Sequence, residues 1–139
     1  MMKLIVGNKG SGKTKTLISM VNDAVAVSKG NVVCIEKGSV MTFDINYKAR
    51  LVDIDNYDIV GYEAFYGFLT GILAGNYDIT HLFVDATLRI GGRDYAALAD
   101  MLNKLNKVVA ERGDTEVVFT VSCDKEDLPA KVFEISEEI

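Results

Sequence analysis

The chain has few cysteines, and none has the spacing of a metal site. Cys34 and Cys123 both lie in apolar runs typical of strands, and no CxxC or CxxH motif is present. A cysteine-based zinc centre is therefore excluded, and buried, reduced thiols in a cytoplasmic protein are expected. Lys3 is followed by only three apolar residues before Gly7, so we expect no signal peptide.

The sequence also lacks an excess of positive charge. Its formal net charge is −5, and it ends in Glu137-Glu138-Ile139. Proteins that bind nucleic acid through bulk electrostatics need a basic surface. The charge balance therefore argues against nucleic acid as a partner.

Long apolar runs are scarce, and one segment resembles a membrane span. Ile59–Gly75 carries a single charge, Glu63, and spaces three glycines four residues apart. Seventeen residues is the lower limit for a span, and no positive flank anchors either end. We therefore expect no membrane span; the segment is interpreted as a buried helix whose small residues allow close approach to a sheet.

Apolar runs alternate with helical periodicities along the rest of the chain. The predicted strands are Met2–Val6, Asn31–Glu36, Arg50–Ile54, Thr80–Asp85 and Glu116–Val121. The predicted helices are Lys13–Val27, a glycine-rich helix capped by Asp58, and a helix from the cap Asp94 to Arg112. Residues 37–46 and 86–93 are predicted as loops, and 124–139 as a polar tail. This order predicts one domain, residues 1–139, of three-layer α/β architecture with a mainly parallel sheet of about five strands flanked by helices.

The most informative motif is GNKGSGKT, Gly7 to Thr14, which fits the pattern G-x-x-x-x-G-K-[ST] between a strand and a helix. Glycines let backbone amides turn inward around phosphate oxygens, and the helix adds its positive N-terminal dipole. Lys13 is expected to reach the β- and γ-phosphates as a catalytic group, and the Thr14 hydroxyl to bind Mg²⁺. The candidate nucleotide-binding residues are Gly7, Asn8, Lys9, Gly10, Ser11, Gly12, Lys13, Thr14 and Lys15.

On these residues the chain resembles a P-loop NTPase over almost its whole length. The resemblance implies a second acidic site, an aspartate that ends an apolar strand and orients the magnesium shell. Asp85, after Leu82-Phe83-Val84, fits this description, and with Thr14 it forms the predicted metal site. Asp53 is the alternative, but the apolar run that precedes it is shorter.

The chain is also similar to small bacterial P-loop proteins sometimes labelled twitching-motility-type ATPases. The similarity lies in GNKGSGKT, CIEKG, EAFYGFLTGILAGNYDIT and GGRDY. It implies nucleotide binding.

Hydrolysis requires a group that activates water. Many P-loop ATPases carry a glutamate directly after the strand-ending aspartate, where this chain has Ala86. Recombinase-like members place it at the end of the strand after the first helix, which implies Glu36 as the catalytic base. The resemblance also implies that Ser122 senses the γ-phosphate. Arg93, or Arg89, in the loop with the Gly91-Gly92 hinge, is the candidate for stabilising transition-state charge.

The sequence favours a magnesium-dependent protein that binds ATP or GTP and hydrolyses it slowly. A guanine-specific N-K-x-D motif is absent, so ATP is favoured. A nucleoside or small-molecule kinase, with the loop of Met41, Phe43 and Tyr47 as acceptor pocket, and a nucleotide-binding regulatory module without chemistry are the alternatives. The short chain offers few residues for a base pocket, so a second copy is expected to complete the site. His81, the sole histidine, is expected to be a partly buried strand residue.

Overall fold

The computed structural model describes all residues from 1 to 139, which form six strands and five helices. The strands are β1 (Met2–Val6), β2 (Asn31–Glu36), β3 (Arg50–Asp53), β4 (Ile79–Val84), β5 (Glu116–Val121) and β6 (Glu137–Glu138). The helices are α1 (Lys13–Val27), α2 (Tyr62–Ala74), α3 (Thr87–Gly91), α4 (Tyr95–Arg112) and α5 (Ala130–Glu134).

All six strands are parallel and form one sheet in the order β3-β2-β4-β5-β1-β6. Strands of a parallel sheet are covered on both faces, which explains why β2 and β5 are buried at every position except the first. The sheet confirms the predicted α/β class with one strand more than expected.

Alternate side chains of the strands enter two separate cores. Leu4 and Phe119 belong to a core that also contains apolar residues of α2, α4 and α5. Ile5 and Val118, their neighbours along the strands, belong to a core built with α1 and the segment 37–49. The helices therefore lie on both faces of the sheet, which gives the three-layer architecture.

The carboxyl ends of the strands meet at one edge of the sheet. β5 lies between β1 and β4, with Val6 beside Val121 and Val84 beside Phe119. The loop after β1 therefore faces the residues that follow β4 and β5. Ligands of open parallel α/β sheets bind at this edge.

Helix α2 lies within the segment Ile59–Gly75 and is partly buried, as predicted. Phe65, Leu69 and Leu73 are fully buried in the larger core, and no helix of the chain is both long and apolar enough to cross a membrane. The role predicted for its glycines is wrong, because a Cβ added at Gly67 or Gly71 would meet nothing within 4 Å.

Two local predictions also differ from the structure. Gly61, not Asp58, is the N-cap of α2, and Asp58 ends a preceding 3-10 turn with a left-handed φ of 54°. The predicted polar tail instead contains α5 and β6, with Val132 fully buried and β6 paired to β1. A helix of five residues has barely more than one turn and a strand of two residues shows no alternation, so neither carries a readable hydrophobic period.

Candidate functional site

The loop between β1 and α1 is shaped by its glycines. Gly10 and Gly12 have φ values of +86° and +87°, a left-handed conformation that other residues rarely adopt. Gly7 makes room for a side chain, because a Cβ there would lie 2.6 Å from the Ser11 Oγ and Ser11 would have to move. The sequence pattern thus corresponds to a tight backbone turn that ends at Gly12, the N-cap of α1.

The N-terminus of α1 is electropositive. Its first turn contains no acidic residue and no side chain caps its amides. Lys13 is only 8% exposed, and its Nζ donates to the Asn8 carbonyl at 3.0 Å. The Asn8 side chain donates to Asp124 at 2.7 Å, and the Gly7 amide donates to the Val121 carbonyl at 3.2 Å. The loop is therefore tied to the end of β5.

Asp85, the first residue after β4, lies beside the loop. The Thr14 hydroxyl lies 3.4 Å and 3.3 Å from its two carboxylate oxygens, and the Thr120 hydroxyl donates to its Oδ1 at 2.6 Å. The structure thus brings together the two residues predicted to hold a metal. No cluster of three or more His, Cys, Asp or Glu side chains is placed to hold one alone.

The alternative carboxylate, Asp53, is used elsewhere. It accepts bonds from the amides of Gly38 and Asp55 and from the Ser39 hydroxyl. The Gly38 amide makes the largest contribution to holding the pKa of Asp53 below its usual value. Asp53 therefore fixes the start of the segment 37–49 and does not face the glycine loop.

The segment after Asp85 was predicted as a loop, but it forms the short helix α3. Ala86, its N-cap, has a left-handed φ of 58°. The predicted Gly91-Gly92 hinge is packed: a Cβ at Gly91 would lie 2.1 Å from the Tyr62 ring, and the Tyr62 hydroxyl donates to the Gly92 carbonyl at 2.6 Å. The glycine pair therefore allows close packing on α2.

These elements enclose an open cleft of about 740 Å³. Five of its side chains are cationic and one is a carboxylate, and only Ala86 and Leu88 are apolar. The lining residues are Lys9, Gly10, Gly12, Lys13, Thr14, Lys15, Asp85, Ala86, Leu88, Arg89, Arg93 and Ser122. Most predicted site residues therefore share one cleft, whereas Gly7, Asn8, Ser11 and Glu36 do not line it.

Glu36 ends β2, the strand next to β4. It is 1% exposed, and its Oε1 accepts bonds from the amides of Val40 and Met41 at 2.9 and 3.0 Å. In this structure Glu36 anchors the segment 37–49. Phe43 of that segment is fully exposed, whereas Met41 is buried in the core.

Both cysteines are free and buried. Burial, with smaller effects of the Asp85 and Glu36 carboxylates, raises the pKa of the Cys34 thiol to about 12. His81 is partly buried on β4, stacks on Phe83 and lies outside the cleft. These residues have structural roles, as the sequence indicates.

Thr120 was missed by the sequence reasoning. Phe119 pairs with Val84, so the next residue of β5 is level with Asp85. A hydroxyl in the otherwise apolar end of EVVFTV was the available signal. It could not be interpreted before the strand order and register were known.

The parallel sheet, the glycine loop before α1 and the aspartate after β4 form a three-layer α/β fold like that of P-loop NTPases. Two solved structures share it. A KaiC-like protein from the hyperthermophilic archaeon Pyrococcus horikoshii OT3 superposes on 96% of this chain with a TM-score of 0.63 and 16% identity. The flagellar accessory protein FlaH from Methanocaldococcus jannaschii superposes on 96% with a TM-score of 0.62 and 14% identity.

The chain spans 66% and 65% of the lengths of these two proteins. At such identities the likeness shows the fold. No family model and no curated protein sequence matches the chain. The resemblance to twitching-motility-type ATPases stays a prediction.

Proposed function

We propose that this protein binds a magnesium–nucleoside triphosphate in the cleft at the carboxyl edge of its sheet and hydrolyses it slowly. The observation that carries the proposal is the position of the Thr14 hydroxyl, 3.3 Å from the Asp85 carboxylate at the N-terminus of α1. A hydroxyl and a carboxylate suit a divalent cation, and the free helix amides beside them suit the phosphates to which that cation is bound.

The residues present fit magnesium. Mg²⁺ prefers oxygen ligands and is usually held by one or two protein groups together with substrate phosphates. Thr14 and Asp85 would supply those groups. The bound ion would neutralise charge on the phosphates, while Lys13 and the loop amides orient the phosphate chain.

The charge of the cleft fits a polyphosphate. Five cationic side chains surround a single carboxylate, in a chain whose net charge is −5. The resemblance to recombinase-like P-loop NTPases further supports nucleotide binding. ATP is favoured over GTP because the guanine motif is missing from the sequence.

Titration with labelled ATP and GTP, with and without Mg²⁺, tests the proposal. We expect Lys13→Ala to weaken binding at least about tenfold, because it removes charge-assisted bonds to phosphate. Lys29→Ala is the matched control, since it removes an equal charge from an exposed position outside the cleft. Absence of binding to the wild type, or equal effects of the two variants, would contradict the proposal.

Glu36 is the proposed base for hydrolysis. Glu36 is the last residue of β2 and is level with Asp85, the first residue after β4, because Ile35 pairs with Val84. Glu36→Gln keeps an acceptor for the Val40 and Met41 amides but cannot take a proton. We expect unchanged nucleotide affinity and a large loss of turnover, and unchanged turnover would remove this role.

Arg93 is the proposed group for stabilising transition-state charge, and Arg89 lies in the same cleft. We expect Arg93→Ala to bind nucleotide with nearly normal affinity and to turn it over more slowly. Equal turnover in the variant and the wild type would refute the assignment.

A nucleotide-binding module without chemistry is the second candidate. It is favoured by Ala86, which stands where many ATPases carry glutamate, and by Glu36, whose Oε1 is bonded to two loop amides. Phosphate-release assays with and without candidate acceptors separate the functions. Free phosphate indicates a hydrolase, acceptor-dependent ADP formation a kinase, and neither product a binding module.

We also propose that a second copy completes the site. Only two of the twelve residues that line the cleft are apolar, which leaves little surface for a base. Nucleotide affinity should then fall as the protein is diluted. Concentration-independent affinity of a monomer would contradict this proposal.

A further inference from the structure

Thr120 occupies an unusual position between the predicted metal ligand and the arginine-bearing segment. It is 2% exposed on β5. Its hydroxyl donates to the Asp85 Oδ1 at 2.6 Å and accepts a bond from the Ala86 amide at 3.1 Å. One buried hydroxyl thus satisfies an adjacent carboxylate and backbone amide at once.

The bond from the Thr120 hydroxyl orients the Asp85 carboxylate, and the bond from the Ala86 amide orients the hydroxyl. The Thr120 hydroxyl donates to Oδ1 at 2.6 Å, and the Thr14 hydroxyl lies 3.4 Å from Oδ1 and 3.3 Å from Oδ2. The short bond to Oδ1 restricts the rotation of the carboxylate group and holds it beside the Thr14 hydroxyl. Without the hydroxyl, the carboxylate would lose its shortest hydrogen bond in the structure.

The same hydroxyl holds a strained turn. Ala86 has a left-handed φ of 58°, a conformation that is unfavourable for residues other than glycine. The bond from its amide to Thr120 stabilises this conformation. Ala86 is also the N-cap of α3, so the turn sets where the segment carrying Arg89 begins.

We propose that Thr120 is a positioning residue that holds Asp85 ready for the magnesium ion and thereby sets the affinity for magnesium. The inference rests on the proposed function of the cleft. It adds a residue whose hydroxyl touches neither nucleotide nor metal and acts through the Asp85 carboxylate and the Ala86 turn.

The test measures the affinity of Thr120 variants for labelled ATP over a range of Mg²⁺ concentrations. The magnesium midpoint is the Mg²⁺ concentration that gives half of the magnesium-dependent increase in this affinity. Thr120→Val keeps the shape and removes the hydroxyl, whereas Thr120→Ser restores it. We expect this midpoint to rise about tenfold in the valine variant and to stay within about twofold of wild type in the serine variant. Binding without Mg²⁺ should change little in either.

Thr115→Val is the matched control that separates a general loss of stability from a specific loss of magnesium affinity. Thr115 is also a buried threonine with two hydroxyl bonds, to Ile79 and Arg112, but it lies beside the amino ends of the strands. We expect this variant to lose stability in urea unfolding and to keep the wild-type magnesium midpoint. Should Thr120→Val fail to fold, Thr120→Cys, with a weaker donor of similar size, should give an intermediate rise.

The possible outcomes distinguish failure of the proposed function from failure of the role proposed for Thr120. A wild-type protein that binds no nucleotide refutes the proposed function and this inference with it. A wild type that binds, together with a wild-type midpoint in folded Thr120→Val or Thr120→Cys, overturns this inference alone. A serine variant as impaired as the valine variant also overturns it, because the hydroxyl would not be the cause.

Discussion

Asp85 and Asp53 each follow an apolar run, yet their carboxylates are placed in different surroundings. Asp85 contacts the hydroxyls of Thr14 and Thr120, whereas Asp53 binds the amide of Gly38 and its neighbours. The sequence favoured Asp85 because the apolar run that precedes it is longer than the run before Asp53. The resemblance paired Asp85 with Thr14, 71 residues away, but it could not show Thr120, which lies 35 residues away on a strand whose register was unknown.

Glycine roles are also decided at single residues. Gly91→Ala would place its Cβ 2.1 Å from the Tyr62 ring. We expect a loss of about 1–3 kcal/mol in the free energy of unfolding, because overpacking forces Tyr62 away from Gly92. Urea denaturation at constant m-value measures the change.

Gly67→Ala is the matched control, because it makes the same substitution at an uncrowded position. Its Cβ would meet nothing within 4 Å on α2, so a gain of about 0.4–1 kcal/mol is expected from the lower entropy of the unfolded chain. A destabilised Gly67 variant, or an unaffected Gly91 variant, would contradict the packing described.

Among the elements, the number of hydrophobic periods determined which ones could be predicted. β1, α1, β2 and β5 match their predicted bounds, and α4 begins after its predicted cap Asp94, which accepts a bond from Ala97. Each carries an apolar run that suits a strand or several turns of periodic residues. The helices α3 and α5 have five residues, little more than one turn, and β6 has two, so their formation depends on contacts with other elements.

The C-terminal segment is accordingly part of the fold. Val132 is fully buried in the larger core, so Val132→Ala should lower the free energy of unfolding by roughly 2 kcal/mol through lost burial and a cavity. Lys131→Ala, on the same helix, removes only an exposed ion pair with Asp100 and should cost less than about 1 kcal/mol. Equal effects in thermal or urea unfolding would show that α5 does not dock.

At the scale of the whole molecule, the topology concentrates the site. Residues 7–15, 85–93 and 122 are far apart in sequence, and the parallel sheet brings them to one edge because β5 lies between β1 and β4. This edge gathers five cationic side chains in a chain of net charge −5. The glycine motif predicted this site, whereas the strand order that adds Thr120 was not readable from the sequence.

The proposed function requires main-chain amides at the start of α1 to bind the phosphates of a nucleoside triphosphate. Backbone amide chemical shifts, recorded by NMR while ATP and Mg²⁺ are added, test it most directly. The account predicts the largest changes at Gly10, Gly12, Lys13 and Thr14, smaller changes at Asp85, and none at the opposite edge near Thr115. Unchanged amides in the glycine loop at saturating nucleotide, or changes confined to another part of the molecule, would contradict it.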